Sequence, residues 1–315
     1  MELRKLGNTD IEVSIMCLGC WAMGGGAWGG PRDEDSLASI RAAIDSGINF
    51  IDTAEGYGHS EELIGAALDG VDAEVIIATK SVSANLSRDK FQATIDTARS
   101  RLRRDCIDLF YIHWPTTQVP NEEALESLAA AKEQGTIRAI GVSNFSLDEM
   151  RKAVTVTQID AMQPPLSILW PFAREELIPF CEQHNIAVAP YSPMARGLLT
   201  GKFTKDWEFP KGDDRRRNVP FRPENYARCL EVVDRLRPIA AKYGKTMAQL
   251  AINWVAYHDG VTSAIVGVRS VEQLNDNLGA FGWRISEEDL ELIDEIARPA
   301  TDPMRAYPNP FSVLF

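Results

Sequence analysis

Asp52 and Tyr57 stand five residues apart in Asn49-Phe50-Ile51-Asp52-Thr53-Ala54-Glu55-Gly56-Tyr57-Gly58. A carboxylate and a phenol at the exit of a short apolar run, on a turn bracketed by glycines, point to an acid site rather than to packing. An unperturbed phenol titrates near 10, too high for an ideal proton donor around neutrality. A neighbouring cation favours phenolate and lowers that value, each pKa unit being worth about 1.4 kcal/mol. Lys80 and His113 close the next two apolar runs. Taken singly, each reads as ordinary: an Asp capping a turn, a solvated Lys, a structural His. Their recurrence at successive run ends is what carries the functional reading.

The elements that must position them alternate. Residues 1–13 read as a hairpin turning at Gly7-Asn8. Strands are expected at 14–18, 49–52, 74–79, 107–113, 137–142, 159–163, 186–190 and 263–266. Helices are expected at 36–46, 60–68 (capped by Ser60), 87–103, 121–134, 147–154, 174–184, 223–243, 246–258, 271–278 and 287–297. Between 200 and 223 lies a polar loop rich in Lys, Arg, Asp and Pro, long enough to be functional. Eight strand–helix units imply a parallel sheet closed as a (β/α)₈ TIM barrel, with the hairpin and two extra helices added. The whole of 1–315 reads as one domain ending in a proline- and aromatic-rich tail, 299–315. In such a barrel function sits where strands end, so Asp52, Tyr57, Lys80 and His113 would meet at one mouth.

The chain has 315 residues, 45% hydrophobic and 25% charged, with a formal charge of -12. That charge argues against nucleic acid as the main partner, since phosphate backbones need a basic field. No apolar run reaches the ~20 residues of a membrane span, and Met1-Glu2-Leu3-Arg4-Lys5 leads into no signal sequence, so a cytoplasmic protein is expected. Five cysteines (17, 20, 106, 181, 229) suit reduced thiols, and Cys17-Leu18-Gly19-Cys20 has no second ligand pair, so no metal is expected. Gly24-Gly25-Gly26-Ala27-Trp28-Gly29 matches the dinucleotide fingerprint G-x-G-x-x-G. Its glycines begin five residues after the strand, and Gly30-Pro31 separates them from any helix. A tryptophan-bearing rim over a pocket explains the segment better than a Rossmann turn.

Phe50-Ile51-Asp52-Thr53-Ala54 with Tyr57-Gly58, Thr79-Lys80, Ile107–Pro115 and Gly141-Val142-Ser143-Asn144-Phe145 resemble, in order and spacing, signatures of the aldo-keto reductases. The resemblance continues through Gln163, Tyr191–Gly201 and Gly267–Asn277, covers nearly the whole chain, and is greatest to bacterial, general-purpose NADPH-dependent members. It implies that the hairpin plugs the barrel bottom. It also implies carbonyl reduction, with Tyr57 as general acid, Lys80 as the tuning cation held by Asp52, and His113 orienting the substrate oxygen. For the cofactor it implies Ser143, Asn144 and Gln163 on the carboxamide and Tyr191 stacked on the nicotinamide, with Cys20, Trp21 and Asp52 alongside. A loop of Ser192, Pro193, Met194, Arg196, Gly197, Leu199 and Gly201 would wrap the pyrophosphate, the whole stretch of about 192–223 covering the cofactor. Gly267, Arg269, Gln273 and Asn277 would meet the adenosine end. The best-studied branch of the family carries a Lys and a second Arg where this chain has Gly267 and Gln273. NADPH is expected, with NADH as the alternative.

A small carbonyl compound is the expected partner, in a pocket lined by Trp21, Trp28, Tyr57, His113 and Trp114, with Tyr307, Phe311 and Phe315 as a further wall. No Arg or Lys is placed there by the sequence for a charged substrate. Two other functions fit the same residues: a Schiff-base aldolase using Lys80, and a cofactor-binding sensor such as the potassium-channel accessory subunits resemble. The latter carry an N-terminal extension, whereas this chain starts at the hairpin. Whether the protein is a monomer or a homo-oligomer is left open.

Overall fold

The protein is described here by a computed structural model that covers residues 1–25 and 31–311. Trp28 and Phe315 lie outside the described residues, as does most of the glycine-rich segment. Strands β1 (Leu3–Lys5) and β2 (Glu12–Ser14) pair antiparallel as the expected hairpin. Eight parallel strands follow: β3 (Met16–Gly19), β4 (Phe50–Asp52), β5 (Ile76–Ser81), β6 (Ile107–Ile112), β7 (Ile137–Ser143), β8 (Ala161–Gln163), β9 (Ala187–Val188) and β10 (Ala264–Gly267). They lie in the order β10-β3-β4-β5-β6-β7-β8-β9. The sheet closes because Thr262 N donates to Val188 O (2.7 Å) and Ile265 N to Pro190 O (2.9 Å), beside a parallel bridge from Tyr191 to Ile265. Closure pairs the two outer strands of the eight-stranded sheet, and the (β/α)₈ barrel expected from the alternation is the fold.

Around it run α1 (Asp33–Asp45), α2 (Ser60–Ala67), α3 (Phe91–Leu102), α4 (Asn121–Glu133), α5 (Leu147–Val156), α6 (Leu177–Gln183), α7 (Pro223–Lys242), α8 (Met247–Ala256), α9 (Val271–Leu278) and α10 (Glu287–Thr301). The two additions to the barrel plan, α7 and α10, pack on each other. Lys242 Nζ on α7 ties them by donating to both oxygens of Asp289 on α10 (3.0 and 2.8 Å). Two local expectations need correction. Ser60 does not cap α2; it is the first helical residue, and its hydroxyl accepts from Thr53 Oγ1 (2.9 Å) and donates to Cys20 O (3.3 Å). The stretch 174–184 is not one helix but a 3₁₀ turn, Phe172–Arg174, followed by α6, because α6 carries Pro179 in its first turn and no side-chain cap. The long loop is also partly ordered by 3₁₀ turns at Asp214–Arg217 and Val219–Phe221.

The strands' period of two separates two apolar layers. Phe110, Ile112, Ile140 and Val142 face the helices, while Leu109, Tyr111, Ala139 and Ala161 fill the barrel. Leu6, Ile11 and Val13 of the hairpin join the inner layer, closing the barrel from the end opposite the strand C-termini. Gly7 sets that contact: its φ of +55° suits the turn, and a Cβ there would lie 2.2 Å from Asp160 O at the entry to β8. Inside, large and small residues alternate. The fully buried ring of Tyr111 occupies the space where Gly141 has no side chain, a Cβ on Gly141 falling 2.3 Å from Tyr111 Cδ1.

Gly141→Val is therefore expected to lose roughly 1–3 kcal/mol of stability through overpacking. Urea unfolding measures it, and a variant as stable as the parent would show that Tyr111 has room to move.

Candidate active site

Asp52 ends β4, Lys80 lies one residue before the end of β5, and His113 follows β6 directly, so the three come from adjacent strands at one end of the barrel. Tyr57 reaches the same place from the β4–α2 loop. Lys80 is wholly buried. Its ammonium donates to Asp52 Oδ1 (2.7 Å) and to Thr53 O (2.6 Å), and it lies 4.8 Å from the centre of the Tyr57 ring. Asp52 Oδ2 accepts from Gln163 Nε2 (2.9 Å). Because an ionised carboxylate only accepts, the Gln163 atom facing it must be the amide nitrogen, which leaves the amide oxygen for another partner.

Burial pushes Asp52 up from the ordinary carboxylate range, opposed by the charge of Lys80 and by donation from Lys80 and Gln163. Burial also works against the Lys80 cation, yet Asp52 and Tyr57 hold its pKa above the ordinary amine value. The form that suits every donor is ammonium with carboxylate. Tyr57 departs from expectation. Burial raises its hydroxyl above 10, Lys80 pulls it down by charge and hydrogen bonding, and the Asp52 charge pushes it up again. Lys80 offsets the burial of the phenol without overcoming it, so Tyr57 is protonated throughout the neutral range. His113 meets Tyr57 edge-on, ring centres 5.6 Å apart. Burial, then the Lys80 charge, lowers its pKa from 6.5 to about 3, which makes it a neutral imidazole.

These residues open onto a cavity of about 1200 Å³, larger than the ~300–1,000 Å³ of most small-ligand pockets. At one side stand Trp21, Tyr57, His113, Trp114 and Phe311. Next come Ser143, Asn144, Gln163 and Tyr191, already wired together. Tyr191 Oη donates to Asn144 Oδ1 (2.7 Å), Asn144 Nδ2 to His113 O and Ser143 Oγ (3.0 Å each), and Ser143 Oγ to Gln163 O (2.9 Å). The wall continues through Ser192, Pro193, Met194, Arg196 and Gly197, where Ser192, Ala195, Arg196 and Gly197 all take positive φ. Within this turn Ala195 N donates to Ser192 O (2.8 Å) and Gly197 N to Met194 O (2.9 Å), so the loop is braced by its own backbone. Gly267, Arg269, Gln273 and Asn277 complete the lining. Together these groups line one long trough that runs from the aromatic side to Asn277.

A model of the Aldo/keto reductase family matches residues 15–298. The chain belongs to the aldo/keto reductase family. It is 36% identical over 310 residues to aldo-keto reductase YhdN of Bacillus subtilis (strain 168), covering 94% of this chain and 93% of that one. It is 34% identical over 323 residues to the NADH-specific methylglyoxal reductase of Escherichia coli (strain K12), covering 94% and 98%. Among solved structures, glycerol dehydrogenase AKR11B4 from Gluconobacter oxydans is similar, with a TM-score of 0.87 at 34% identity and coverage of 99% and 98%.

In this aldo/keto reductase some expected site residues lie elsewhere. Cys20 and Leu199 are fully buried and do not line the cavity; Cys20 Sγ points at Leu18 O. Gly201 lies behind the wall, where Arg237 Nη2 donates to its carbonyl (2.8 Å). Arg196, expected only on the pyrophosphate, also reaches the aromatic side of the cavity. Its guanidinium lies 4.6 Å from the Trp21 ring and 5.5 Å from the Phe311 ring, and it donates to Asp214 (3.0 Å) and to Asn218. The aromatic pocket thus has a cation at its edge, contrary to the sequence reading. Lys202, Asp214, Asn218 and Ser270 also line the cavity; the first three fall in the stretch expected to cover the cofactor but were not singled out by residue. For Lys202 the signal was present: it follows directly on the Arg196–Gly201 stretch.

The unfolded chain protonates His113 near 6.5 and the folded chain only near 3. Below about pH 6.5 the unfolded state therefore binds the extra proton, and stability falls as pH drops toward 3. The His113 imidazole resonance should accordingly stay unchanged between pH 5 and 8 by NMR. A midpoint near 6.5 would show that the ring is not desolvated.

Proposed function

We propose that this chain reduces aldehydes and ketones with NADPH as hydride donor, in a reversible reaction, with Tyr57 as the proton donor. The observation that carries the proposal is the buried Lys80 ammonium, fixed between Asp52 and Thr53 O and set against the Tyr57 ring at the mouth of a dinucleotide-sized trough. A bound reduced nicotinamide supplies the hydride. The protein's own part is to place a carbonyl oxygen between Tyr57 and His113 and to deliver a proton to it. Neutral His113 donates a hydrogen bond without competing for that proton, and Tyr57 gives it up as negative charge develops on the oxygen. Lys80 stabilises the phenolate left behind. Ser143, Asn144 and Gln163 would hold the carboxamide, and the Tyr191 ring, fixed by Asn144, would decide which nicotinamide face meets the substrate.

The cofactor choice rests on a second group of charges. Burial lowers Lys202 and Arg269, and each is lowered further by Arg215, with Lys202 also feeling Arg269. Asp213, ion-paired with Arg215, offsets part of this crowding; a phosphate would offset more, and Arg269 is a permanently charged fork suited to a 2′-phosphate. The relative named as NADH-specific shows that the scaffold also serves NADH, so these cations, not the fold, support NADPH here. A Schiff-base role for Lys80 is disfavoured, because an amine held in its charged form is a poor nucleophile.

With Tyr57 protonated through neutrality, carbonyl reduction should hold across pH 6–8 and decline only in the alkaline range, while alcohol oxidation should rise with pH. Tyr57→Phe should cost roughly 10²–10⁴-fold in kcat for reduction yet leave NADPH binding in place; wild-type turnover in that variant would defeat the assignment. Lys202→Ala and Arg269→Ala should each raise the KM for NADPH roughly 10–100-fold, as for a lost charged hydrogen bond, with little change for NADH. Equal effects on both cofactors would remove the case for a 2′-phosphate site.

A further inference from the structure

The loop that carries Tyr57 rests on one side against Gly24, where His59 N donates to Gly24 O (3.2 Å) and a Cβ on Gly58 would fall 2.0 Å from the same oxygen. A Cβ added at Gly56 would meet nothing within 4 Å, and Gly58 takes a φ of +60°. The loop's backbone follows β5 for two steps, with Thr53 N donating to Ala78 O and Glu55 N to Lys80 O (2.9 Å each). Beyond Glu55 the chain leaves the barrel wall and turns to present Tyr57. At that point of departure a side chain ties the loop back. The Glu55 carboxylate accepts from the hydroxyl of Ser81, the residue after Lys80, and from Asn85 Nδ2 at both oxygens (3.3 and 3.1 Å). Ser81 is buried on β5. Asn85 belongs to a 3₁₀ turn, Ser83–Asn85, whose carbonyl accepts from Thr94 Oγ1 on α3 (2.8 Å). Glu55 thus joins the Tyr57 loop to two anchored segments, one of which carries Lys80.

We propose that Glu55 is a positioning residue for the reaction: its clamp on Ser81 and Asn85 sets the separation of the Tyr57 hydroxyl and the Lys80 ammonium. This rests on Tyr57 being the proton donor. Glu55 does not line the cavity, although Gly56 and Tyr57 do, so it touches neither substrate nor cofactor. The groups that act on Tyr57 are Lys80 on β5, Asp52 on β4 and Cys20 after β3, with His113 after β6 against its ring. Glu55 therefore acts through geometry. Reactions of this kind are sensitive to displacements near 1 Å, which can cost about a hundredfold.

The test compares Glu55→Ala, Glu55→Gln, Ser81→Ala and the Glu55→Ala/Ser81→Ala double variant with the parent and with Tyr57→Phe. Glu55→Ala is expected to lose roughly tenfold to hundredfold in kcat for carbonyl reduction, with the KM for NADPH unchanged. The alkaline limb of its kcat profile should move to higher pH, because a phenol further from Lys80 loses the charge that lowers it. Glu55→Gln keeps an oxygen for Ser81 and should recover most of the rate, which a role of the charge would not allow. Ser81→Ala should reproduce the loss, and the double variant should be no worse than either single one. Unfolding midpoints on the same samples separate these effects from misfolding, since destabilisation alone would not shift the alkaline limb. Parent-like kcat in Glu55→Ala, an unmoved limb, or additive losses in the double variant would overturn the proposal. If Tyr57→Phe is inactive in such a case, only the clamp fails; if Tyr57→Phe is active, the proton-donor reading fails with it.

Discussion

A lysine with no solvent exposure is the constraint around which the barrel's open end is arranged. Removing an ammonium from water costs several kcal/mol, and the charge survives only where geometry supplies partners. Here Asp52 supplies a counter-charge and the Thr53 carbonyl a second acceptor, both from the strand next to Lys80. Gln163 then satisfies the remaining oxygen of Asp52 from the far side of the barrel mouth, where β8 ends. The ion pair thereby connects the Tyr57 loop with the hydrogen-bonded set of Gln163, Ser143, Asn144 and Tyr191. A parallel barrel suits this demand, because every strand ends on the same rim and adjacent strands set side chains within hydrogen-bond reach.

The same low-dielectric setting explains the titration behaviour. Lys80 is close enough to stabilise a phenolate, but the burial that makes its charge effective also opposes ionisation of Tyr57, and Asp52 adds to that opposition. The balance leaves an acid loaded with its proton. His113 feels both effects with the same sign, burial and a neighbouring cation, and so falls to about 3. One buried cation therefore yields two neutral donors facing one cavity, a phenol and an imidazole. Such a pair suits an oxygen on which negative charge develops.

A different logic governs the trough beyond Tyr191. Loop residues Ser192, Ala195, Arg196 and Gly197 adopt left-handed backbone conformations, and Arg196 is held by Asp214 and Asn218 across the trough. Val219 N also donates to Pro310 O (2.8 Å), which brings the C-terminal segment and Phe311 onto the same wall. Covering loop, tail and barrel rim thus meet over the cavity, where Phe311 stacks near Tyr191 with ring centres 6.1 Å apart.

Much of this was legible from residues 1–315 alone. Alternating apolar runs and helical faces sufficed for a barrel, because period and spacing are local properties and eight repeats of one plan admit few closures. Strand ends could be read within a few residues, so Asp52, Lys80 and His113 were placed on one rim without coordinates. Other features depend on contacts between distant segments. The Ser60 hydroxyl reads as a cap from its neighbours alone, and only Thr53 and Cys20 packed against it show its different use. The sign of the Tyr57 shift required the depth of its burial, which no spacing records. Arg196 beside Trp21 and Phe311, and the meeting of Lys202, Arg215 and Arg269, follow from how the chain's long loop folds back across the barrel, while Cys20 is turned away from the cavity just after β3. Local sequence determined the strands, the helices and the kinds of chemistry available. The tertiary structure decided which groups share a low-dielectric space, because desolvation and charge interaction depend on distances between residues tens to hundreds of positions apart.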